Sequence, residues 1–536
     1  MKTTNTMHGH CIAALVCVSM LFAVAARAEV KLASPFTSHM VLQREKPVPV
    51  WGTAESGEQV TVEFAGQTKS VTADADGKWL VKLDPMPASA ESRELVVAGN
   101  HQSQIENLKC EDVLVGEVWL ASGQSNMTFP VSKVHAPYAG VANEAQEIAA
   151  ANYPLIRMFT GQSTKAYTPQ ETIGGQWLVC SPETVPDFSA VGYLFARDLQ
   201  REIKVPVGII TEAFGASTIE AWIRREALAA DPRLKPILDG FDAQVQAFRA
   251  APPAVVVPPP SQDVSAPANT NAATGGTNAV ARGRRGGRGG GGGRSDPVQN
   301  QHNATVLFNG MIAPVIPYAI RGAIWDQGES IVGGGVALYP HLEETLIKDW
   351  RALWGEGDFP FYIVQLAGLG NSGSNRPEVR EAQALGLTLP NTGMAVTTDT
   401  GEAANVHPKD KQDVGDRLSR IALAKVYGRN IEFSGPVYES MKVEGSSIRV
   451  NFSHADGLVA RDGTLKWFTI AGADGKFVAA DAKIDGNTVV VSSPQVSAPV
   501  AVRYAWVNFP DGGHLYNSAG LPAAQFRSDA PKPPTE

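Results

Sequence analysis

The middle of the chain alternates short apolar runs with amphipathic stretches, and this alternation constrains the fold more strongly than any other feature of the sequence. Runs typical of buried strands occupy residues 113–115, 207–210, 322–325 and 361–364. Stretches with the apolar spacing of helices fall between or after them, at 191–202, 342–353 and 412–427. Strands that alternate with helices predict a mostly parallel sheet with helices on both faces. The predicted fold class is therefore α/β.

The two ends of the chain have the period-two pattern of half-buried strands instead. Apolar and polar residues alternate at 60–64 and 79–83, and Asp76-Gly77 predicts a hairpin turn before the second set. The dipeptide at 485–486 precedes a similar pattern near the C-terminus. At roughly 100–200 residues per domain, a chain of 536 residues has room for about three domains. We predict an N-terminal β-sandwich module, an α/β domain and a C-terminal β module, with bounds at 29–110, 111–428 and 429–536.

One segment, residues 251–301, interrupts the predicted α/β domain. It contains a triple proline, a Ser/Ala/Asn/Thr stretch, five arginines and a run of glycines, with almost no large apolar side chains. Little apolar surface is available there to offset the entropy cost of ordering, so we expect a disordered surface loop. Arginine- and glycine-rich segments can bind RNA, but in an exported protein a flexible loop is the favoured interpretation.

The N-terminus has the features of a secretory signal. Lys2 precedes an apolar run at 12–25, which ends in the small-residue pattern Ala-Arg-Ala at 26–28. We predict cleavage before Glu29 and hence a secreted or periplasmic protein. Removal of residues 1–28 would leave 44 basic and 54 acidic residues, a net charge of 44 − 54 = −10.

Two of the four cysteines lie in the predicted signal, and Cys110 and Cys180 remain. An oxidising compartment would permit them to pair, and two buried free thiols are an equally good interpretation. With two cysteines and no His-Glu-x-x-His pattern, the sequence offers no zinc-site spacing.

Charge and hydropathy exclude several partner classes. The full chain has 46 basic and 54 acidic residues, a net charge of −8, which does not suggest a nucleic-acid binder. No apolar stretch after the N-terminus reaches the ~18 residues that a membrane-spanning helix needs. We therefore expect neither a nucleic-acid partner nor a membrane span; the sequence does not indicate an oligomeric state.

The strongest local signal for chemistry is the pentapeptide Gly-Gln-Ser-Asn-Met at 123–127, directly after a strand that ends near Leu120. A serine at the carboxyl edge of a parallel strand can project its hydroxyl into the crevice where open α/β sheets bind ligands. A histidine, His407, lies on a late loop, and such a residue is the usual base that activates a serine hydroxyl. Ser125 and His407 are therefore a candidate nucleophile and base.

Two further loops at strand ends carry hydrogen-bond donors. Phe214-Gly215 follows the strand at 207–210, and a glycine there lets a backbone N–H approach a substrate oxygen. The hexapeptide at 325–330, Trp-Asp-Gln-Gly-Glu-Ser, places an amide and a carboxylate at another strand end. Each loop alone is weak evidence, and their joint occurrence favours a catalytic site.

Four motifs together resemble the sialate O-acetylesterase family, within the SGNH hydrolases. They are GQSNM at 123–127, WDQGES at 325–330, REAQ at 380–383 and HPKDKQ at 407–412. Segments at 40–44 and 515–522 resemble the flanking β regions of the family, so the match covers nearly the whole mature chain. The resemblance implies an SGNH-type, flavodoxin-like sheet. It also implies a carbohydrate acetylesterase that uses neither a metal nor an organic cofactor.

The resemblance also implies roles for individual residues. Ser125 matches the nucleophile and His407 the general base of the family. Gly215 matches a glycine of the oxyanion hole, and Gln327 stands where SGNH enzymes place a side-chain amide donor. Glu329, in the same loop, is expected to orient substrate or neighbouring groups.

The acid that would orient His407 departs from the common SGNH pattern. Many of these enzymes carry an aspartate two or three residues before the histidine, where this chain has Asn405 and Ala404. Three alternatives follow: Asp399 as first choice, Glu402 as second, and a backbone carbonyl that orients a Ser-His dyad as third.

The predicted function is removal of O-acetyl groups from carbohydrates by a secreted serine esterase. The substrate would be acetylated sialic acid or an acetylated plant polysaccharide. The alternative is a non-catalytic carbohydrate-binding protein with a degenerate esterase centre, because no aspartate stands at the usual positions before His407.

Overall fold

The computed structural model describes residues 29–100, 107–133, 138–251, 295–332, 334–370, 375–461 and 463–529. The predicted signal at 1–28 and most of the segment predicted to be disordered, 252–294, lie outside the described residues. Among the described helices, none combines the length and the apolar character needed to cross a membrane.

The N-terminal part of the chain is built from short strands with alternating buried and exposed residues. They are β1 (Lys31–Leu32), β2 (Val41–Gln43), β3 (Val48–Thr53), β4 (Gln59–Phe64), β5 (Gln67–Thr72), β6 (Lys78–Leu83) and β7 (Ser89–Gly99). Strands β1, β3 and β6 form an antiparallel three-stranded sheet. The Asp-Gly turn expected before the second set is present, with Gly77 at φ +74°.

The central sheet is mostly parallel, as the sequence predicts for an α/β fold. Its strands are β8 (Leu108–Gly123), β9 (Tyr153–Thr160), β10 (Trp177–Cys180), β11 (Val207–Ala213), β12 (Gly322–Asp326), β13 (Phe361–Val364) and β14 (Thr392–Ala395). The order is β10-β9-β11-β8-β12-β13-β14, and only β10 in this row runs antiparallel to its neighbour.

Strand β8 joins the N-terminal strands to the central sheet. It is 16 residues long, pairs with β7 and β2 in its first half, and pairs with β11 and β12 in its second half. The boundary expected at 110/111 therefore falls inside a continuous strand, because the same backbone supplies ladder hydrogen bonds to both regions.

Helices cover both faces of the central sheet. They are α1 (Ser125–Thr128), α2 (Glu144–Ala149), α3 (Ala190–Ile203), α4 (Arg225–Ala230), α5 (Lys235–Ala250), α6 (Tyr339–Trp354), α7 (Arg376–Ala384) and α8 (Gln412–Lys425). Side chains of β8 alternate between two buried clusters: Trp119 packs with α3 and α8, and Leu120 packs in the cluster that contains α6. Because both faces of the central sheet are buried, the sequences of its strands are continuous apolar runs.

The C-terminal part contains two four-stranded sheets and a two-stranded one. The strands are β15 (Val437–Glu444), β16 (Ser447–Ser453), β17 (Val459–Ala460), β18 (Phe468–Ala471), β19 (Val478–Ala479), β20 (Asp481–Asp485), β21 (Thr488–Ser492), β22 (Ala501–Tyr504), β23 (Leu515–Tyr516) and β24 (Phe526–Arg527). Arg380 on α7 fastens this part to the α/β region, since its guanidinium donates to the carbonyls of Val507 and Asn508 at 2.9 Å.

Cys110 and Cys180, the cysteines within the described residues, are free and buried. Burial raises the pKa of the Cys110 thiol to about 11 and that of Cys180 to about 12. Of the two alternatives that the sequence left open, the structure shows the pair of buried thiols.

Candidate active site

The sheet topology brings three polar turns together at one edge. Strand β8 lies between β11 and β12, and the chain leaves β8 toward one side of the sheet and later returns to build the other. The carboxyl ends of such strands flank the crevice where open α/β sheets bind ligands. The turn after β8 carries Ser125, the turn after β11 carries Gly215, and the turn after β12 carries Gln327 and Glu329.

Backbone hydrogen bonds fix the serine turn against both neighbouring strands. The N–H of Gln124 donates to the carbonyl of Asp326 at 2.8 Å, and the N–H of Phe214 donates to the carbonyl of Gly123 at 3.0 Å. Gly123 is required for this approach, because its φ is +137° and a Cβ there would lie 2.1 Å from the Asp326 oxygen. The half-buried Ser125 is therefore held on a rigid base.

Two backbone donors at the edge are available for a ligand. The N–H groups of Ser125 and Gly215 have no acceptor among the described residues. A Cβ built on Gly215 would lie 3.9 Å from the Ser125 Cβ and 3.9 Å from the Tyr138 hydroxyl oxygen, so the two turns face each other. The geometry is suited to an oxyanion between these N–H groups.

The histidine turn lies against the serine turn. The side-chain amide of Asn126 donates to the carbonyl of Val406 at 3.3 Å. The half-buried His407 ring packs against Tyr138, with ring centroids 5.1 Å apart, and against Phe129, at 6.5 Å. Ser125 and His407, 282 positions apart in the sequence (407 − 125), are thus neighbours through the residues next to them. No hydrogen bond joins the Ser125 hydroxyl to the imidazole among the described residues; such contacts often tighten only when substrate binds.

Asn405 holds the backbone of His407 rather than its ring. Its Oδ1 accepts from the His407 N–H at 3.0 Å, and its Nδ2 donates to the His407 carbonyl at 2.7 Å. Glu402, the second-choice acid, accepts from Asn405 Nδ2 at 3.1 Å and from the Lys409 N–H at 2.8 Å. Glu402 therefore braces the turn and does not contact the imidazole.

Asp399, the first-choice acid, is engaged elsewhere. It lies four residues beyond the end of β14, and its carboxylate receives two 2.7 Å hydrogen bonds from Arg417 and one of 2.8 Å from Tyr516. Burial alone would raise the pKa of this carboxyl, but Arg417 and Tyr516 outweigh it and hold the pKa below its usual value. The structure therefore corrects the expectation that Asp399 orients His407. Asp399 links α8 to β23 instead, and no carboxylate or backbone carbonyl among the described residues accepts from the ring of His407.

Gln327 also differs from the expectation. It is 1% exposed, and its Nε2 donates to Gln124 Oε1 at 3.2 Å and to the Ser217 carbonyl at 3.3 Å. Both side-chain N–H groups are thus committed to the neighbouring turns. In this structure Gln327 links the turn after β8 to the turn after β11 and offers no free N–H donor to an oxyanion.

A buried charged group that the sequence analysis did not assign lies beneath the two turns. Lys411 is 3% exposed, and its Nζ donates to Asn126 Oδ1 at 2.7 Å. The Nδ2 of the same Asn126 donates to Glu329 Oε1. Asn126 therefore joins a cation, a carboxylate and the histidine turn. It stands next to Ser125 in GQSNM, and Lys411 stands in HPKDKQ, so both lie in motifs that the sequence had singled out; Tyr138 lies in none.

The charges of this cluster shift the pKa of their neighbours. Burial, reinforced by Glu329, raises the pKa of Asp326 to about 7. Burial lowers the pKa of Lys411, and the surrounding carboxylates oppose that shift. Burial and the charge of Lys411 both lower the pKa of His407, which favours the neutral imidazole that can accept a proton. The described residues contain no group of three or more His, Cys, Asp or Glu side chains that could hold a metal ion.

Asp399→Asn provides a test of the structural role. An asparagine keeps one acceptor for Arg417 and loses the charge, so we expect the free energy of unfolding to fall by about 1–3 kcal/mol. We expect kcat to fall less than tenfold, whereas loss of a triad aspartate costs about 10⁴-fold. Urea unfolding and steady-state hydrolysis of a small acetate ester measure the two effects. A 10³-fold or larger fall in kcat would contradict the structural role, and Asp413→Asn, which changes a more exposed partner of Arg417, is the control.

Comparisons with known proteins identify relatives of the whole chain. No family model matches the sequence. The chain is 27% identical to a rat sialate O-acetylesterase over 92% of this chain and 94% of the relative, and 28% identical to the human protein of that name over 92% of each. A crystal structure of a carbohydrate acetylesterase from Xanthomonas citri superposes with a TM-score of 0.75 and 32% identity, covering 94% of this chain and 100% of the other.

The three turns lie at the sheet edge where β8 stands between β11 and β12. Together with these relatives, this arrangement identifies the protein as an esterase. The chain belongs to the sialate O-acetylesterase family of carbohydrate acetylesterases.

Proposed function

We propose that the protein is exported after cleavage of residues 1–28 and removes O-acetyl groups from carbohydrates through an acyl-enzyme on Ser125. The observation that carries the proposal is the meeting of the serine and histidine turns beside two free backbone N–H groups. The substrate class is acetylated sugar, either sialic acid or plant polysaccharide.

The mechanism needs only residues of the site. His407 Nε2 or Nδ1 accepts the Ser125 proton as the hydroxyl oxygen attacks the acetyl carbonyl. The N–H groups of Ser125 and Gly215 stabilise the resulting oxyanion, and loss of one such donor typically costs about 3–4 kcal/mol of barrier. His407 then gives its proton to the departing sugar oxygen, and water releases acetate from Ser125 by the same steps in reverse.

The orientation of His407 without a carboxylate is supported by its surroundings. Asn405 clamps the backbone on both sides, while Tyr138 and Phe129 pack on the ring. An acetyl ester has a better leaving group than an amide, so we propose that this aromatic and backbone support is sufficient for the reaction.

Acetate release from a panel of acetylated glycans tests the proposal. The panel would contain O-acetylated sialic acid, acetylated xylan and acetylated xyloglucan, with an enzyme-coupled acetate assay. We expect release from at least one of them and none above background with Ser125→Ala. Equal release by both proteins, or none by either, would overturn the proposal.

The pH dependence of kcat/KM should report His407. Only the neutral imidazole accepts the serine proton, so activity falls as His407 becomes protonated. Because burial and Lys411 lower the pKa of His407, we expect the acid limb to lie below the ordinary histidine value of about 6.5. Initial rates on a soluble acetate ester between pH 4 and 9 measure this limb. A midpoint above 7 would contradict the assignment.

A further inference from the structure

A second cleft, outside the catalytic edge, lies where the N-terminal strands meet the α/β region. It has a volume of about 430 Å³, within the range of ligand-binding sites. It is lined by residues of strands β1, β3 and β6 of the N-terminal sheet, by Ala33 and Asp74 next to these strands, by the loop residues 170–172, and by Ala313, Pro314 and Ile316 before β12. We call it the N-terminal cleft.

The lining combines an aromatic face with hydrogen-bonding groups. Trp51 is half-buried and braced from behind by Phe36, with ring centroids 4.7 Å apart in an edge-on arrangement. Leu80 is 41% exposed, and the exposed Gln170 contributes a side-chain amide. A sugar ring has an apolar C–H face and a hydroxyl edge, which such a surface matches.

One buried donor in the lining is not used by the protein. Trp79 is 3% exposed, and its Nε1–H has no acceptor among the described residues. Buried N–H groups are usually paired, so a hydroxyl oxygen that reached this indole would supply a missing hydrogen bond.

The charges of the cleft favour a neutral ligand. Its acidic residues are Asp74 and Glu171, and its basic residues are Lys31 and Lys78. Lys78 and Glu171 pair with each other at 2.7 Å, which links β6 to the loop. With equal numbers of acids and bases, the cleft presents no cluster of unpaired cations to recognise a polyanion.

The same loop runs from the cleft to the catalytic edge. Lys165 lies 4.6 Å from the centroid of the Phe214 ring, next to Gly215. Five residues further on, Gln170 lines the cleft, so at most about 18 Å separates the two Cα atoms. The N–H groups of Ala166 and Gln170 donate to the carbonyls of Val306 and Asn309 at 3.0 and 2.8 Å, which fixes the path of the loop.

From these contacts we infer that the N-terminal cleft binds a neutral stretch of the same glycan chain whose acetyl group is removed at Ser125. This inference rests on the proposed function and narrows its substrate to a polymeric, uncharged carbohydrate. Binding in the cleft would hold the polymer near the catalytic edge and lower KM for long chains without changing the chemical step.

Chain-length dependence of KM tests the inference. Acetylated xylo-oligosaccharides of two and eight units are compared on the full protein and on Trp51→Ala. We expect the wild type to have a KM about tenfold lower for the long substrate, and the variant to lose this advantage with kcat unchanged. Hydrolysis of p-nitrophenyl acetate should be the same in both proteins and shows that the variant is folded.

Two further variants separate a binding role from a packing role. Leu80→Ala changes an exposed side chain of the cleft, and Leu387→Ala changes one of equal exposure elsewhere, 41% against 42%. We expect a twofold to fivefold rise in KM for the long substrate with Leu80→Ala and no change with Leu387→Ala. Deacetylated xylo-octaose titrated into the Ser125→Ala protein should bind, and should not bind when Trp51→Ala is added.

The inference and the proposed function fail differently. Two results would overturn the inference that the cleft binds the glycan: equal KM values for short and long substrates in the wild type, or an unchanged length dependence in Trp51→Ala and Leu80→Ala. In either case acetate would still be released, so the proposed function would stand. Absence of acetate release from every substrate would overturn the proposed function, and the cleft inference with it.

Discussion

Ser125→Ala is expected to lower kcat for acetyl-ester hydrolysis by about 10⁴–10⁶-fold. The alanine removes the attacking oxygen and leaves the two backbone N–H groups in place, so only the weak catalysis of an oxyanion site remains. Losses of this size follow removal of the nucleophile from a serine protease. Release of p-nitrophenol and of acetate measures the effect.

A double-variant comparison tests whether Ser125 and His407 act as a pair. We expect His407→Ala to lose nearly as much activity as Ser125→Ala, and the double variant to lose no more than either, because the members of a catalytic unit are not additive. Ser163→Ala, at an exposed serine after β9, is the matched control and should keep full activity on the small ester. Multiplicative losses in the double variant would show that the two residues do not share a step.

Most of the α/β fold was predictable because its signal is local. The apolar runs at 207–210, 322–325 and 361–364 lie in β11, β12 and β13, and the helical stretch at 412–427 overlaps α8. Each pattern is set by burial of one or two faces of the element itself. The long strand β8 was not predicted as one element, since its two halves have different burial patterns and pair with different strands.

The polar contacts of the site were much less predictable. Sequence motifs placed Ser125 and His407 on turns, but the hydrogen-bond partner of each polar side chain depends on residues that lie far apart along the chain. Asp399 meets Tyr516 across 117 positions, and Lys411 meets Asn126 across 285. Strand β14 ends at Ala395, and Asp399 lies on the following turn, where it pairs with Arg417 of α8.

Asn126 connects the buried cation Lys411 to the serine turn. Its side-chain amide makes three hydrogen bonds: Nδ2 donates to the Val406 carbonyl and to Glu329, and Oδ1 accepts from Lys411. Because Asn126 follows Ser125 directly, these three hydrogen bonds tie the serine turn to the histidine turn and to the turn that carries Glu329. Lys411 fixes the amide orientation, since only Oδ1 can accept from an ammonium group.

Lys411→Met should therefore affect stability, turnover and pH dependence together. The methionine fills the space but leaves Asn126 Oδ1 and the nearby carboxylates without a cation, so we expect the free energy of unfolding to fall by about 2–4 kcal/mol. A displaced Ser125 should lower kcat by about 10–100-fold. Loss of the positive charge should raise the pKa of His407, which moves the acid limb of kcat/KM to higher pH. Urea unfolding and the pH profile of the variant measure these effects.

Lys409→Met is the matched control for that prediction. Lys409 lies two residues away on the same turn and is exposed, so its replacement by methionine removes the same charge from solvent, where screening weakens its effect. We expect the control to keep the wild-type acid limb and kcat within about twofold. If Lys411→Met lost stability while its kcat and acid limb matched those of Lys409→Met, Lys411 would be a packing residue with no influence on His407. An upward shift of the limb in Lys411→Met alone would instead show that the charge buried under the serine turn keeps the imidazole neutral and able to accept a proton.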